Sequence, residues 1–218
     1  MQDHEFLDEK IIRAINQAEA EKEESAKEAS AEATAISPEE RTIYTGIKIG
    51  GQWIEFEERS FMNDKVLMMV PREFTEMDEQ SKKIKYPSEQ RPEEILTDSA
   101  GGVNIYLGNL DEVASDDDVE MIRDVLLKIM QRVNPGIRLL ETGKEVVSGE
   151  DFAYAEYANP AIDGKVYNLM FFFKINGRAV MGGFNCLSKS MKYWKKHALE
   201  IMQSIKVTEF GKEQGEDG

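Results

Sequence analysis

The sequence predicts an α+β domain: a single antiparallel sheet of about six to seven strands, covered by two main helices at about 116–134 and 189–205. Three observations carry that expectation. From Thr42 onward, most segments alternate apolar and polar residues with the period of two that belongs to strands. Tight-turn pairs, above all Asn176-Gly177, join neighbouring segments. Only two stretches beyond residue 42 keep a long helical spacing of apolar residues.

Residues 1–41 stand apart as an acidic, Ala/Glu-rich tail or linker. Residues 1–40 hold 12 Asp/Glu against 4 Lys/Arg. Ala and Glu favour helix, but after the stripe Phe6, Leu7, Ile11, Ile12, Ile15 nothing larger than Ala follows until Ile36. Such a helix is either a solvated tail or a short docking element. Ser37-Pro38 punctuates its end.

The domain then runs from 42 to 208. TIYTGIKI places Ile43, Thr45, Ile47 and Ile49 on one face, and Gly50-Gly51 turns the chain. QWIEFEERSFM is a second strand, Asn63-Asp64 a turn, and KVLMMVP a third strand ended by Pro71. Arg72 to Lys83 reads as a short helix or loop, and GGVNIYLGNL as another strand. Ser115 is placed to cap the first main helix, with Asp116, Asp117, Asp118 and Glu120 in the turn where the dipole favours negative charge. Its expected buried stripe is Val119, Ile122, Leu126, Ile129, Met130 and Val133, and Asn134-Pro135-Gly136 stops it. RLLETGKEVV and DFAYAEYA are strands. Asp163-Gly164 turns into KVYNLMFFFKI, apolar on both faces and therefore central in the sheet. RAVMGGFNC pairs back. Ser188 precedes a helix from Lys189 to Ser204 with Met191, Trp194, Ala198, Ile201 and Ile205 inward, and the acidic end 209–218 is expected to be disordered.

Net charge is −15 over 218 residues. That balance repels phosphate backbones and argues against nucleic acid; it favours another protein with a basic surface as partner. The longest apolar run, Leu169 to Phe173, is too short to span a bilayer. One cysteine, Cys186, permits no internal disulfide and fits a reducing compartment. MQDHEFLDEK lacks the regions of a signal peptide, so the expected location is cytoplasmic; export would need a signal segment removed before Met1.

No catalytic or cofactor constellation is visible. His4 and His197 lack ligand-spaced partners, and the Asp116-Asp117-Asp118 run lacks calcium-loop spacing. Cys186 ends a strand, as a small buried hydrophobe does. The glycine pairs 50–51, 101–102 and 182–183 precede no Lys-Ser/Thr and read as turns or bulges.

Two features offer contacts. In Tyr86-Pro87-Ser88-Glu89-Gln90-Arg91-Pro92 each proline holds the residue before it extended. Tyr86 and Arg91 therefore stand either at a rigid corner, with the guanidinium bridging carbonyls or a carboxylate, or at a partner contact. Lys189, Lys192 and Lys196 share one face of the last helix. That face is either solvated or meets something anionic, such as the chain's own acidic tail.

The Tyr-Pro…Arg-Pro corner, the following Ile95-Leu96-Thr97-Asp98, and YNLMFFFKINGRAVMGGFNC ahead of a Trp194-bearing helix resemble the PsbP-like superfamily. That group includes a subunit of the oxygen-evolving complex, DcrB-type bacterial proteins and a Ran-GTPase release factor. The resemblance covers about residues 43–207. It implies a sheet sandwiched by helices, no enzyme activity, no cofactor, and action through partner binding. Exported members begin with a signal or lipoprotein segment, whereas this chain begins with an acidic tail, and no site residue carries over. The functional expectation is a non-enzymatic binding or adaptor domain. The alternatives are an acidic immunity or inhibitor protein that neutralises a basic partner, and a small-ligand or lipid carrier with a pocket between sheet and helix.

Overall fold

The computed structural model describes residues 41–88, 91–110, 118–161 and 164–208. The acidic tail, Ser115 to Asp117, and the end after 208 lie outside them, as do the expectations drawn for those segments.

The chain divides into two compact units, Met1–Trp53 and Ile54–Gly218. In the first, β1 (Ile47–Ile49) and β2 (Gln52–Ile54) form a two-stranded ladder. They are joined by Gly50 and Gly51 at φ of 59° and 91°, a conformation glycine adopts without a Cβ clash. The strand expected from Thr42 starts only at Ile47. Thr42 and Thr45 instead bond locally: Thr42 N donates to Thr45 Oγ1 (3.0 Å), Tyr44 N to Thr42 Oγ1 (3.2 Å) and Thr45 N to Thr42 O (3.1 Å). Hydroxyls that close a turn on their own backbone compete with strand pairing.

The second unit begins with β3 (Phe56–Phe61), β4 (Val66–Pro71), β5 (Thr75–Glu76), α1 (Glu79–Lys85), β6 (Glu94–Thr97) and β7 (Val103–Asn109). It continues with α2 (Val119–Val133), β8 (Arg138–Val147), β9 (Glu150–Ala161), β10 (Gly164–Ile175) and β11 (Arg178–Leu187). A 3-10 turn (Ser188–Ser190), α3 (Met191–Gln203) and β12 (Lys206–Val207) complete it. Seven strands form one antiparallel sheet in the order β5-β6-β7-β11-β10-β9-β8. The early strands do not join it as expected; β3 and β4 form a separate sheet with β12.

β10 is central, and Tyr167 through Phe173 are all buried. Asn176 and Gly177 turn it into β11 with φ of 51° and 74°. That handedness at both turn positions matches the twist of the flanking strands, and Ile175 lies opposite Arg178. Alternation sends Met170 and Phe172 to one face, where α2 covers them through Val119, Ile122 and Leu127. Phe171 and Phe173 face the other way. There Phe173 stacks on Phe152 with ring centroids 4.5 Å apart, and Trp194 of α3 lies 5.3 Å from Phe184.

Gly182 and Gly183 sit inside β11 opposite Phe171 and Met170 and form no turn or bulge, which corrects the expectation for that pair. A Cβ on Gly182 would enter the Phe171 ring, and one on Gly183 would enter the Tyr106 ring. The glycines are the room into which two aromatic side chains lean.

Asp118, not Ser115, is the N-cap of α2, its carboxylate accepting from Glu120 N at 3.1 Å. At α3 the expected Ser188 start is replaced by the 3-10 turn, and the helix proper opens after Ser190.

Replacing Gly182 by Ala should destabilise the fold by about 1–3 kcal/mol, the usual cost of overpacking. Gly102→Ala should stay within about 0.5 kcal/mol, since an added Cβ there meets nothing closer than Asp98 Oδ2 at 3.9 Å. Urea denaturation of the two variants reads the contrast.

Candidate functional site

Tyr86 and Arg91 form the corner between α1 and β6. Arg91 Nη1 donates to the carbonyls of Tyr86 and Ser88, each at 3.3 Å. The Tyr86 ring meets Tyr106 edge-on, centroids 6.0 Å apart. Its hydroxyl accepts from Asn185 Nδ2 at 2.8 Å. Behind it runs a polar ladder across three strands: Asn104 Nδ2 donates to Asn185 Oδ1 (2.7 Å) and Thr97 Oγ1 to Asn104 Oδ1 (2.7 Å). Burial pushes the Tyr86 phenol up to about 12, partly offset by the Asn185 bond, so it stays protonated across the physiological range.

The lysine face of α3 has unequal members. Lys189, which falls in the 3-10 turn ahead of the helix, and Lys192 are exposed. Lys192 Nζ lies 4.7 Å from the Tyr193 ring centroid, and Lys196 pairs with Glu200 at 3.7 Å. Lys195, which falls off the predicted face, reaches the buried carboxylate of Glu156 at 3.0 Å and Glu141 at 3.2 Å. Glu156 is fully buried in β9, and Lys195 supplies the cation that faces it. The Tyr167 phenol beside it is pushed well above its ordinary value by burial and by the Glu156 charge. Across the ladder from Tyr167, Cys186 is buried, which pushes its thiol up to about 12 and keeps it from acting as a thiolate near neutrality.

Two features escaped the sequence reading. The first is the outward side of α2. Met121, Val125 and Ile129 are about half exposed and Val133 is 81% exposed, at a spacing of four that lines them along the helix. Ile129 and Val133, expected inward, are therefore outward; Leu127 is buried in their place. The spacing was legible, but a helix with apolar residues on so many sides does not reveal which side the sheet covers. Alongside the stripe, Lys128 and Arg132 make no ion pair among the described residues. The acids of the helix's first half are engaged, Glu120 with Lys144 at 3.3 Å and Asp124 with Arg123 at 2.8 Å. Arg123 also donates to the Gly143 carbonyl at 2.9 Å, tying α2 to the edge strand β8.

The second is a cavity of about 250 Å³ at the β10–β11 hairpin end of the sheet. Asn63, Lys65, Asn109, Asn176 and Arg178 line it. It is formed by the β3–β4 turn and the β10–β11 hairpin, not by the sheet and a helix as a carrier reading expects. Its residues come from three separate turns and strand ends, so no local motif announces it.

Charge is also distributed unexpectedly. The described residues hold 22 Lys/Arg and 20 Asp/Glu, and the rest of the chain holds 5 and 22. The acidity that suggested a basic partner belongs to segments outside the described residues.

No protein-family model matches the chain, and no curated protein does. Solved structures do. Cyanobacterial PsbP (CyanoP) from Synechocystis superposes with a TM-score of 0.52 at 14% identity, over 70% of this chain and 92% of that one. The chain has the PsbP-like fold. The Ran-binding protein Mog1p of Saccharomyces cerevisiae is similar at a TM-score of 0.47 and 11% identity, over 71% of this chain and 96% of its own. LpqN of Mycobacterium tuberculosis, involved in cell envelope biogenesis, is similar at 0.46 and 12%, over 74% and 97%. At these identities the likeness concerns the fold alone. The resemblance read from the Tyr-Pro…Arg-Pro corner and the β10–β11 hairpin is borne out at that level.

Within this PsbP-like domain, Lys195→Ala should leave Glu156 as a buried, uncompensated charge and destabilise by about 3 kcal/mol. Lys192→Ala should stay within about 0.5 kcal/mol. Glu156 and Glu141 hold the Lys195 ammonium above its ordinary value against the opposing effect of burial. A raised folded value means the contribution is complete below about pH 10.4, the unfolded value, and fades as pH climbs through the folded one. The gap between wild type and Lys195→Ala, followed by urea denaturation, should be constant from neutrality to about pH 9 and narrow above about pH 10.4.

Proposed function

We propose that the domain is a non-enzymatic protein-binding module that uses the outward side of α2 to hold an acidic amphipathic segment of a partner protein. The observation that carries this is the row Met121, Val125, Ile129, Val133, exposed on an otherwise well-packed helix. A row of four large apolar side chains facing water is a contact surface awaiting cover more often than an ornament of the fold. Helix-in-groove recognition reads such a row at intervals of three and four. Lys128 and Arg132 beside it select acidic residues in whatever lies across it.

The basic partner expected from the net charge belongs to a different reading, that of an immunity or inhibitor protein. It is supported by the 22 acidic and 5 basic residues outside the described set, which would steer a basic partner in a strongly salt-dependent way. The two readings differ in the surface used and in the sign of the partner's charge.

A photo-crosslinking residue placed at 125 or 129, and at 83 on α1 as a control, separates them in cells. Adducts from 125 and 129, but not 83, should map to an acidic amphipathic peptide of one protein. The double variant Val125→Asp, Ile129→Asp should keep its melting temperature within about 2 °C and weaken binding of that peptide at least about tenfold. A basic contact peptide, or adducts identical to those from 83, would overturn the reading.

A further inference from the structure

The cavity at the hairpin end has a chemistry that the α2 surface does not share. Lys65, half-buried, and Arg178 both line it, and neither has an ion-pair partner among the described residues. Elsewhere in the same unit, several cations are paired: Lys82 with Glu76 and Glu79, each at 3.1 Å, Arg123 with Asp124, and Lys195 with Glu156.

The nearby carboxylates are committed to other donors. Both oxygens of Glu94 accept from Met62 N, at 2.9 and 3.0 Å. Glu93 Oε2 accepts from Asn109 N at 3.1 Å, and Asp64 from the Ser60 hydroxyl. These acids brace the backbone of the rim, and none of them makes a direct ion pair with Lys65 or Arg178.

The rim is also strained. Met62, Asn63 and Asp64 follow one another at φ of 56°, 55° and 64°. Residues with side chains persist in that region where the surroundings hold them. Here Glu94 holds Met62. The turn presents Asn63 and Lys65 to the same space that Asn176 and Arg178 reach from the opposite hairpin. Three side-chain amides supply N–H donors, and a guanidinium offers its planar fork.

We propose that this cavity is a binding site for a small dianion, a phosphate group or a dicarboxylate, held between Arg178 and Lys65 and oriented by Asn63, Asn109 and Asn176. Its modest volume admits a free anion or the head of a small metabolite and excludes a macromolecule. Met62, Ile175 and Val180 supply its apolar walls, which lower the local dielectric and strengthen the attraction.

The test is titration of the full chain with inorganic phosphate and, separately, with succinate, at constant ionic strength set by sodium chloride. The readouts are side-chain amide resonances and melting temperature. Saturable shifts at Asn63, Asn109 and Asn176 are expected with at least one anion, and the tighter of the two names the class. Arg178→Ala and, independently, Lys65→Met should each weaken that binding at least about tenfold. Lys189→Ala, in the 3-10 turn ahead of α3, should leave it unchanged. Unsaturable shifts spread over all basic residues, or affinity indifferent to both Arg178→Ala and Lys65→Met, would overturn the proposal.

Discussion

The whole structure depends on the burial of β10 on both faces. Seven consecutive residues, Tyr167 to Phe173, lose contact with water, and a strand can do this only when flanked on both edges and covered on both sides. β9 and β11 supply the edges; α2 and α3 supply the cover. The register between β10 and β11 is the setting that makes it work. It brings Gly182 and Gly183 opposite Phe171 and Met170, where the absence of side chains admits the rings of Phe171 and Tyr106. A slip of one residue would turn every aromatic side chain to the wrong face.

From that core outward, polar groups are placed by what the packing leaves. Glu156 lies between buried aromatic residues and depends on Lys195 reaching it from α3. Asn104, Asn185 and Thr97 bond one another beneath Tyr86, so the Tyr-Pro…Arg-Pro corner covers a polar ladder that would otherwise meet apolar neighbours. The two proposed contact surfaces are places where this economy stops. Among the described residues, the apolar row of α2 has no cover and the cations at the hairpin end have no ion-pair partner. Both sit on the seven-stranded scaffold, α2 through its packing on β9 and β10 and the cavity through β7, β10 and β11, and a rigid scaffold is what presents such surfaces reproducibly.

Most of the scaffold was legible in the sequence because its signals are local. Asn176-Gly177 specifies a hairpin by backbone handedness alone, and the double-faced apolar run Leu169 to Phe173 specifies a central strand. RLLETGKEVV became β8 without change of boundary. The misses have a common cause: they depended on tertiary partners or on competing local bonds. Thr42 and Thr45 closed a turn through their hydroxyls. β3 and β4 joined β12 rather than the main sheet, a pairing between residues near 66 and 207 that no short pattern encodes. The orientation of α2 was missed because both of its sides carry apolar residues. The cavity was missed because its lining is assembled from residues 62 to 180. Net charge is a property of the whole chain that the described residues do not share.

Amide hydrogen exchange followed by NMR tests the central claim most directly. If β10 is the strand on which the rest is built, the amides of Leu169 to Phe173 exchange slowest in the protein. Their exchange then occurs only through global unfolding and shares one free energy with their partners in β9 and β11. Exchange of Leu169 to Phe173 that is faster than that of β3, β4 and β12, or that proceeds by local opening while α2 and α3 remain protected, would contradict the account.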